Sequence, residues 1–282
     1  MNKIFFPVVL VILFISSVSV NAEDGVEKKE LKVGLLPFVS ATRLIKLFLP
    51  LKKHLEQNGG YRVTFVSAPD FRKFLKRTHN QEYDFVFTAP HFALLAEQEF
   101  GYQRLARFSR QLKACIFVRQ NSPINKLVDL KGSVISTPGP LAIVSVLGEV
   151  MLNSRNLNQS KSVNFLRTPS HNNAIISVVN EDADAGIVSL PVFKFYISKE
   201  ENKIKLLECS EAIPSPMFLA SKPMNGRDRE ILASVLLDFP NSQHGKNFFE
   251  KTPYKSMEAI SDKDMALLEK YLGTLKSRIQ IN

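Results

Sequence analysis

Cysteine is scarce in this 282-residue chain: only Cys115 and Cys209 are present, far apart in the sequence. Neither belongs to a CxxC pair or to a cluster with histidine. This excludes the common structural zinc sites, which need closely spaced thiolate and imidazole ligands. The two thiols are open to two interpretations. They form a disulfide if the protein resides in an oxidising compartment, or they are separate buried side chains that pack as small hydrophobes.

The sequence also lacks the motifs of the common catalytic sites. There is no GxSxG nucleophile elbow, no phosphate-binding P-loop, no HExxH zinc helix and no pair of carboxylates beside a base. His54, His79 and His244 have no partners at metal-ligand spacing and are interpreted as surface residues. These absences predict a protein that is not an enzyme and that uses neither a cofactor nor a metal ion.

Acidic residues are outnumbered, since the chain has 37 basic and 27 acidic side chains and a formal net charge of +10. The lysines and arginines are scattered, however, and no RNA- or DNA-binding motif accompanies them. We therefore expect no nucleic-acid partner. A modest positive field favours anionic ligands or an anionic membrane surface instead.

A long hydrophobic run occurs only at the N-terminus. Ile4–Ile15 follows the basic residue Lys3 and precedes small residues at Val20-Asn21-Ala22. This arrangement is typical of a cleavable secretion signal over residues 1–22, and the run is short for a membrane span of roughly 20 residues. The alternative is an uncleaved N-terminal anchor. No cysteine lies near the predicted cleavage point, which argues against a lipid anchor, and we expect a periplasmic protein.

Beyond residue 30, short apolar strands alternate with amphipathic helices. Strands are predicted at Leu31–Pro37, Tyr61–Ser67, Asp84–Phe87, Ala114–Arg119, Ser133–Ser136, Val163–Arg167, Asp184–Ser189, Ile204–Leu207 and Met217–Ala220. Helices are predicted at Ala41–Gln57, Asp70–His79, after Pro90, at Leu141–Asn153, Ser170–Asn180, Arg227–Phe239, Gly245–Glu250 and from Ser261 through Leu275. This alternation predicts an α/β fold in two halves, each a mostly parallel sheet flanked by helices.

The segment Tyr83–Ala96, YDFVFTAPHFALLA, carries the strongest functional signal. Strand residues run into Thr88-Ala89-Pro90, and a helical pattern begins with almost no loop. Such a junction points the free N–H groups of the helix start beyond the carboxyl end of the strand, where ligands bind in open α/β sheets. Similar junctions follow Pro37, Gly139 and Ser170. They predict a cleft between the halves that binds a small anionic ligand.

Five segments follow one another in an order that matches a known family: LKVGLLP, DFVFTAPHFALLA, SPINKLVDLKG, SHNNAIISVVN and DADAGIVS. Together they resemble the periplasmic substrate-binding proteins of the phosphate/phosphonate type that serve ABC importers. The resemblance implies a two-lobed type II periplasmic binding fold, with lobe 1 at residues 23–112 and 212–282 and lobe 2 at residues 113–211. Cys115 and Cys209 would then lie near the crossover between lobes, which raises the expectation of a disulfide but leaves it open.

The resemblance transfers ligand contacts only in part. His171 matches the histidine of the family's Ser-His pair. The family's Ser-Thr-Ser run at the first helix of the second lobe is replaced by Pro138-Gly139-Pro140-Leu141-Ala142, and its first-lobe tyrosine by Ala93. The carboxylate that would hold an amino group is replaced near Ser189-Leu190. These departures argue against aminoalkylphosphonates as the ligand.

The residues predicted to bind ligand lie at the helix starts around the cleft. They are Phe38, Ser40, Thr42, Thr88, Ala89, Pro90, His91, Gly139, Pro140, Leu141, Ala142, His171, Asn172 and Ser189. Ordinary roles are open for some of them. Thr88 is equally interpretable as a helix cap and Phe38 as a core residue. His91 is interpretable as a surface residue or as an ordinary residue at the start of the helix.

We thus expect an exported, noncatalytic, monomeric protein that captures a small phosphonate- or phosphate-like oxyanion for a membrane ABC permease. The alternative is a sensory or protein-interaction component that delivers a signal to a membrane sensor kinase, with a different small ligand or none.

Overall fold

The computed structural model describes residues 28–158, 162–198 and 203–279. The predicted signal peptide at residues 1–22 lies outside these ranges. Within them the chain forms two β-sheets, each flanked by helices, and the predicted α/β architecture in two lobes is confirmed.

Eleven strands form in the described residues. They are β1 (Lys29–Leu35), β2 (Tyr61–Val66), β3 (Phe85–Thr88), β4 (Gln103–Phe108), β5 (Ala114–Arg119), β6 (Val134–Pro138), β7 (Asn164–Thr168), β8 (Ala185–Ser189), β9 (Ile204–Cys209), β10 (Met217–Ala220) and β11 (Met257–Glu258). The predicted strands are all present, with ends displaced by at most two residues. β4 and β11 were not predicted, because β4 carries two arginines and β11 has only two residues.

Ten α-helices accompany the strands in the described part of the chain. They are α1 (Ala41–Asn58), α2 (Phe71–His79), α3 (Pro90–Phe100), α4 (Ile143–Asn153), α5 (His171–Val179), α6 (Leu190–Ile197), α7 (Gly226–Asp238), α8 (Gln243–Lys251), α9 (Asp262–Ala266) and α10 (Glu269–Arg278). α6 was not predicted, since its sequence LPVFKFYI is apolar apart from Lys194 and has no polar face that would reveal a helical period.

The predicted final helix is interrupted. The helix that begins after Ser261 ends at Ala266, and a second helix starts at Glu269. Between them the backbone tightens, because the N–H groups of Leu268 and Tyr271 donate to carbonyls three residues back, at Met265 and Leu268. Expecting one continuous helix was therefore wrong. The break directs α10 so that it packs against both α3 and α4.

The first sheet has the strand order β11-β4-β10-β3-β1-β2, and the second has the order β7-β6-β8-β5-β9. β1 pairs in parallel with β2 and β3, and β6 pairs in parallel with β7 and β8. β10 is antiparallel to β3 and β4, and β5 is antiparallel to β8 and β9. β5 and β10 are each the first strand that the chain forms after it crosses from one sheet to the other, and the two-residue β11 is also reversed, antiparallel to β4.

The two crossings run side by side. Leu112 and Ile213 bond through both of their backbone groups, with N···O distances of 2.8 and 2.9 Å. The first sheet thus takes its strands from residues 29–108 and 217–258, and the second from residues 114–209. The lobe boundaries at residues 112/113 and 211/212 stay a prediction.

An aromatic cluster fills the core of the first lobe. The ring of Phe87 on β3 lies 4.8 Å from Phe48 of α1 and 5.0 Å from Phe218 of β10, measured between ring centroids. The ring of Phe108 stacks 3.9 Å from Tyr254. These contacts hold β3 in the middle of the sheet, so that the carboxyl end of β3 is rigidly placed.

His54 belongs to this core, so its interpretation as a surface residue was wrong. It is 1% exposed. Its Nε2 lies 2.9 Å from the carbonyl oxygen of Val235, and its ring packs 5.2 Å from Phe239. The reason is the position of His54 on the buried face of α1, which packs against α7. Of the other two histidines, His79 is exposed and His244 is half-buried.

The two cysteines form a disulfide. Cys115 on β5 and Cys209 on β9 are directly opposed in the antiparallel pair. The bridge decides between the two alternatives that the sequence left open. It ties the first strand of the second lobe to the last one, next to the two crossings.

No helix in the described ranges combines the length and the apolar character that a membrane crossing requires.

Replacing both cysteines together (Cys115→Ala with Cys209→Ala) should lower the free energy of unfolding by about 2–5 kcal/mol, because the bridge restricts the unfolded chain. The bridged residues are separated by 94 positions. Urea unfolding followed by circular dichroism measures the change. A reducing agent should bring the wild type to the stability of the double variant and leave the variant unaltered. Equal stability of the oxidised wild type and the variant would contradict a stabilising bridge.

Candidate functional site

The junction between β3 and α3 is the most enclosed part of the predicted site. Thr88, Ala89, Pro90 and His91 are all buried. Ala89 occupies the N-cap position, and no side chain caps the start of α3. The interpretation of Thr88 as the cap was therefore wrong. His91 is not a surface residue, but it does lie in the first turn of α3, as its other ordinary interpretation had it. An uncapped helix start presents N–H groups that suit an anion.

Two polar atoms at this junction are buried with no hydrogen-bond partner among the described residues. They are Oγ1 of Thr88 and Nδ1 of His91. Both side chains are 1% exposed. Burying a polar atom without a partner costs about 1–3 kcal/mol, so such atoms are rare unless function uses them.

The His91 side chain connects the two lobes. Its Nε2 lies 3.0 Å from the carbonyl oxygen of Leu141, in the turn that leads into α4. Burial lowers the pKa of His91 to about 3, and the nearby charge of Arg278 acts in the same direction, whereas the bond to Leu141 opposes it. The imidazole is therefore neutral at physiological pH. Because a carbonyl only accepts, the ring proton resides on Nε2.

The turn from Pro138 to Ala142 forms the opposite side of the site. The N–H of Ala142 donates to the carbonyl of Gly139 at 2.9 Å, and Ala142 caps α4 without any side-chain bond. Below the turn, the hydroxyl of Ser145 lies 2.7 Å from that of Thr137 and donates to the Pro138 carbonyl at 2.9 Å. These two hydroxyls are buried and already satisfied within the turn.

The start of α5 brings His171 and Ser189 together. The N–H of Ser189 points to Nδ1 of His171 at 3.4 Å, a long contact, and Ser170 caps the helix by accepting from the N–H of Asn173 at 3.2 Å. Burial lowers the pKa of His171 to about 4. The half-buried imidazole is thus neutral, and with Nδ1 accepting, its proton is on Nε2, which is free to donate.

The remaining predicted residues are more open. Phe38, Ser40 and Thr42 at the start of α1 are exposed, as are Pro140 and Asn172, whereas Gly139 and Ala142 are half-buried. The Phe38 ring lies 6.2 Å from Phe87, so it contacts the edge of the core while 39% exposed. Within the described residues, hydrogen bonds connect the α3 junction to the α4 turn, and His171 to Ser189. None joins Ser40 or Thr42 to either pair.

A cluster of charged residues beside the α4 turn, formed by Arg278, Glu149 and Arg167, was not predicted from the sequence. Arg278 at the end of α10 donates to the carbonyl of Pro140 at 2.6 Å and forms an ion pair with Glu149 of α4. Glu149, which is 7% exposed, also pairs with Arg167 at 2.9 Å. The only signal in the sequence was a glutamate in an otherwise apolar helix, VLGEVML. Its partners are 18 and 129 residues away, too far for any helix or strand period to connect them.

Comparison with known proteins agrees with this geometry. Residues 33–265 match the family model described as ABC transporter, phosphonate, periplasmic substrate-binding protein. The chain belongs to this family. Its members are periplasmic solute-binding proteins that serve ABC transporters.

Solved structures share the fold at low sequence identity. PhnD1 from Prochlorococcus marinus, determined in complex with methylphosphonate, is 18% identical and superposes with a TM-score of 0.78, over 88% of this chain and 98% of that one. A binding protein component of an ABC phosphonate transporter from Pseudomonas aeruginosa is 14% identical, with a TM-score of 0.71 over 89% and 98% of the two chains. The periplasmic aliphatic sulphonate binding protein SsuA from Escherichia coli is 13% identical, with a TM-score of 0.62 over 89% and 92%.

Two neutral histidines make the stability of this family member depend on pH. His91 and His171 titrate in the folded protein at about 3 and about 4, below the value of 6.5 for a free side chain. Below pH 6.5 the unfolded chain binds protons that the folded protein does not. Their contribution to the free energy of unfolding is complete above pH 6.5 and is lost progressively as the pH falls toward the folded values.

Replacing His171 by glutamine should therefore flatten the pH dependence. From about pH 6.5 down to about pH 5, the free energy of unfolding should fall less steeply in His171→Gln than in the wild type, by up to one proton in the slope. Urea unfolding at a series of pH values measures the slope. An identical slope in both proteins would show that the fold does not hold His171 neutral.

Proposed function

We propose that this protein captures a small tetrahedral oxyanion of the phosphonate type between its two lobes and delivers it to the permease of an ABC importer. The observation that carries this proposal is the β3–α3 junction, where Thr88 Oγ1 and His91 Nδ1 are buried without partners. They lie at an uncapped helix start that contacts the α4 turn of the other lobe. A ligand held there would touch both lobes and favour their closure.

An anion suits this site for electrostatic reasons. α3 and α4 both start without a side-chain cap, and each helix start carries roughly half a positive charge. The half-buried Nε2–H of His171 adds a neutral donor. The excess of basic residues over the whole chain attracts anions at longer range.

The size and substituents of the ligand follow from what surrounds these groups. Ala93 and Leu141 are apolar and buried, at 0% and 5% exposed. Ser189, at the end of β8, supplies a hydroxyl where a carboxylate would be needed to pair with an amino group. We therefore propose a small ligand with an apolar or hydrogen substituent, such as methylphosphonate or phosphite, and not an aminoalkylphosphonate.

The setting of this activity is part of the proposal. A signal peptide at residues 1–22 would export the protein to the periplasm, where it would act as a monomer without catalysing a reaction. An oxidising compartment agrees with the disulfide between Cys115 and Cys209.

A thermal-shift screen tests the ligand class directly. The panel comprises methylphosphonate, aminoethylphosphonate, phosphite, phosphate, sulfate and acetate. A true ligand present at 100 times its dissociation constant adds about 2.7 kcal/mol of stability, which raises the unfolding temperature by several degrees. We expect methylphosphonate or phosphite to stabilise the protein most. No stabilisation by any oxyanion, or stabilisation by acetate alone, would contradict the proposal.

Replacing His171 by alanine should weaken binding of the stabilising oxyanion. A hydrogen bond to a charged group contributes about 1.5–3 kcal/mol, so the dissociation constant should rise about 10- to 100-fold. Isothermal titration calorimetry measures it. His79→Ala is the matched control, because His79 is an exposed histidine at the end of α2. Equal affinities of wild type and His171→Ala would remove His171 from the site.

A further inference from the structure

The hydrogen-bonding state of His91 limits what can bind next to it. Its Nε2 lies 3.0 Å from the Leu141 carbonyl oxygen, an atom that can only accept. Nε2 must therefore carry the proton, which leaves Nδ1 with a lone pair and no hydrogen. Nδ1 is buried and has no partner among the described residues. Nδ1 is therefore a buried hydrogen-bond acceptor without a donor among the described residues.

None of the described groups around the ring supplies that donor. Arg278, whose charge acts on His91, is engaged by the Pro140 carbonyl and by Glu149. The ring of Phe92 stacks on His91 at 4.1 Å and offers no polar atom. Thr88, three residues earlier, has a buried hydroxyl that is also without a partner, so the two side chains do not satisfy each other. The donor that Nδ1 lacks among the described residues is one that a bound molecule can supply.

Tetrahedral oxyanions differ in whether they can provide one. A phosphonate monoanion keeps one P–O–H group, which donates, beside two oxygens that only accept. A sulfonate of the same size and charge has three oxygens that only accept. A sulfonate oxygen beside Nδ1 would bring two hydrogen-bond acceptors together. The two lone pairs would repel each other, and the buried Nδ1 would remain without a donor.

We propose that His91 Nδ1 accepts a hydrogen bond from the protonated oxygen of a phosphonate monoanion and thereby selects phosphonates over sulfonates. This inference rests on the proposed function and names the protonation state of its ligand. The unprotonated oxygens take the N–H groups of the helix starts and the Nε2–H of His171. One histidine thus accepts from the ligand, and the other donates to it.

Calorimetric titration of the purified protein with methylphosphonate and with methanesulfonate tests this, at a pH where both ligands carry one negative charge. The wild type should bind methylphosphonate about 10- to 100-fold more tightly, the range for one buried hydrogen bond that one ligand makes and the other lacks. Equal affinity for the two ligands, or tighter binding of methanesulfonate, would overturn the inference alone. No binding of either ligand would overturn the proposed function together with it.

Two variants separate the two nitrogens of the ring. His91→Gln keeps an amide N–H within reach of the Leu141 carbonyl but removes the acceptor at Nδ1, so its preference for methylphosphonate should disappear. His91→Asn places an amide oxygen near the Nδ1 position and should retain part of the preference. Circular dichroism and the unfolding temperature show whether each variant folds, and the wild-type comparison decides the matter if neither does. An undiminished preference in folded His91→Gln would overturn the assignment.

Discussion

The site depends on how the turn before α4 is held from the other lobe. Two neighbouring carbonyls in this turn, those of Pro140 and Leu141, accept hydrogen bonds from Arg278 of α10 and His91 of α3. Both donors come from elements outside the second sheet. Because these bonds fix the orientation of the peptide groups in the turn, they also fix the start of α4. The same two hydrogen bonds therefore join the lobes and set the geometry of the candidate site, so a change in the contact between the lobes also changes the site.

Two neutral imidazoles, those of His91 and His171, lie at the helix starts of the candidate site. The hydroxyls nearest the α4 turn, those of Thr137 and Ser145, bond to each other and lie beneath it. What remains around the site are backbone N–H groups and two buried or half-buried histidines. Burial keeps both histidines uncharged. A neutral imidazole has one donor and one acceptor, and the partner that each ring has in the protein decides which of the two is left for a ligand.

Hydrophobic patterns in the sequence predicted most of the fold, because the spacing of apolar residues shows which side of a single helix or strand is buried. The strands Tyr61–Val66 and Ala114–Arg119 were recognised from apolar residues of the right length, and the start of α5 from its Ser170 cap. The failures share a cause as well. β4 carries two arginines because α9 supplies a carboxylate for each of them, and His54 was interpreted as a surface residue although α7 packs over it. In each case a partner that is distant in sequence determines whether the residue is buried or exposed and what it binds.

The amino-acid sequence by itself determined the two-lobed α/β class and the junctions at which helices begin after strands, since hydrophobic period and turn residues act over a few positions. The proposal that Thr88, His91 and His171 bind the ligand also came from the sequence, and it stays a prediction. Only the tertiary structure decided that the two cysteines pair, that Thr88 is not a helix cap, and that Arg278 and Glu149 adjoin the site. The physical reason is that these are contacts between segments whose separation in sequence carries no periodic signal. The protonation of each histidine nitrogen follows from the same kind of contact, because a distant carbonyl or N–H group imposes it.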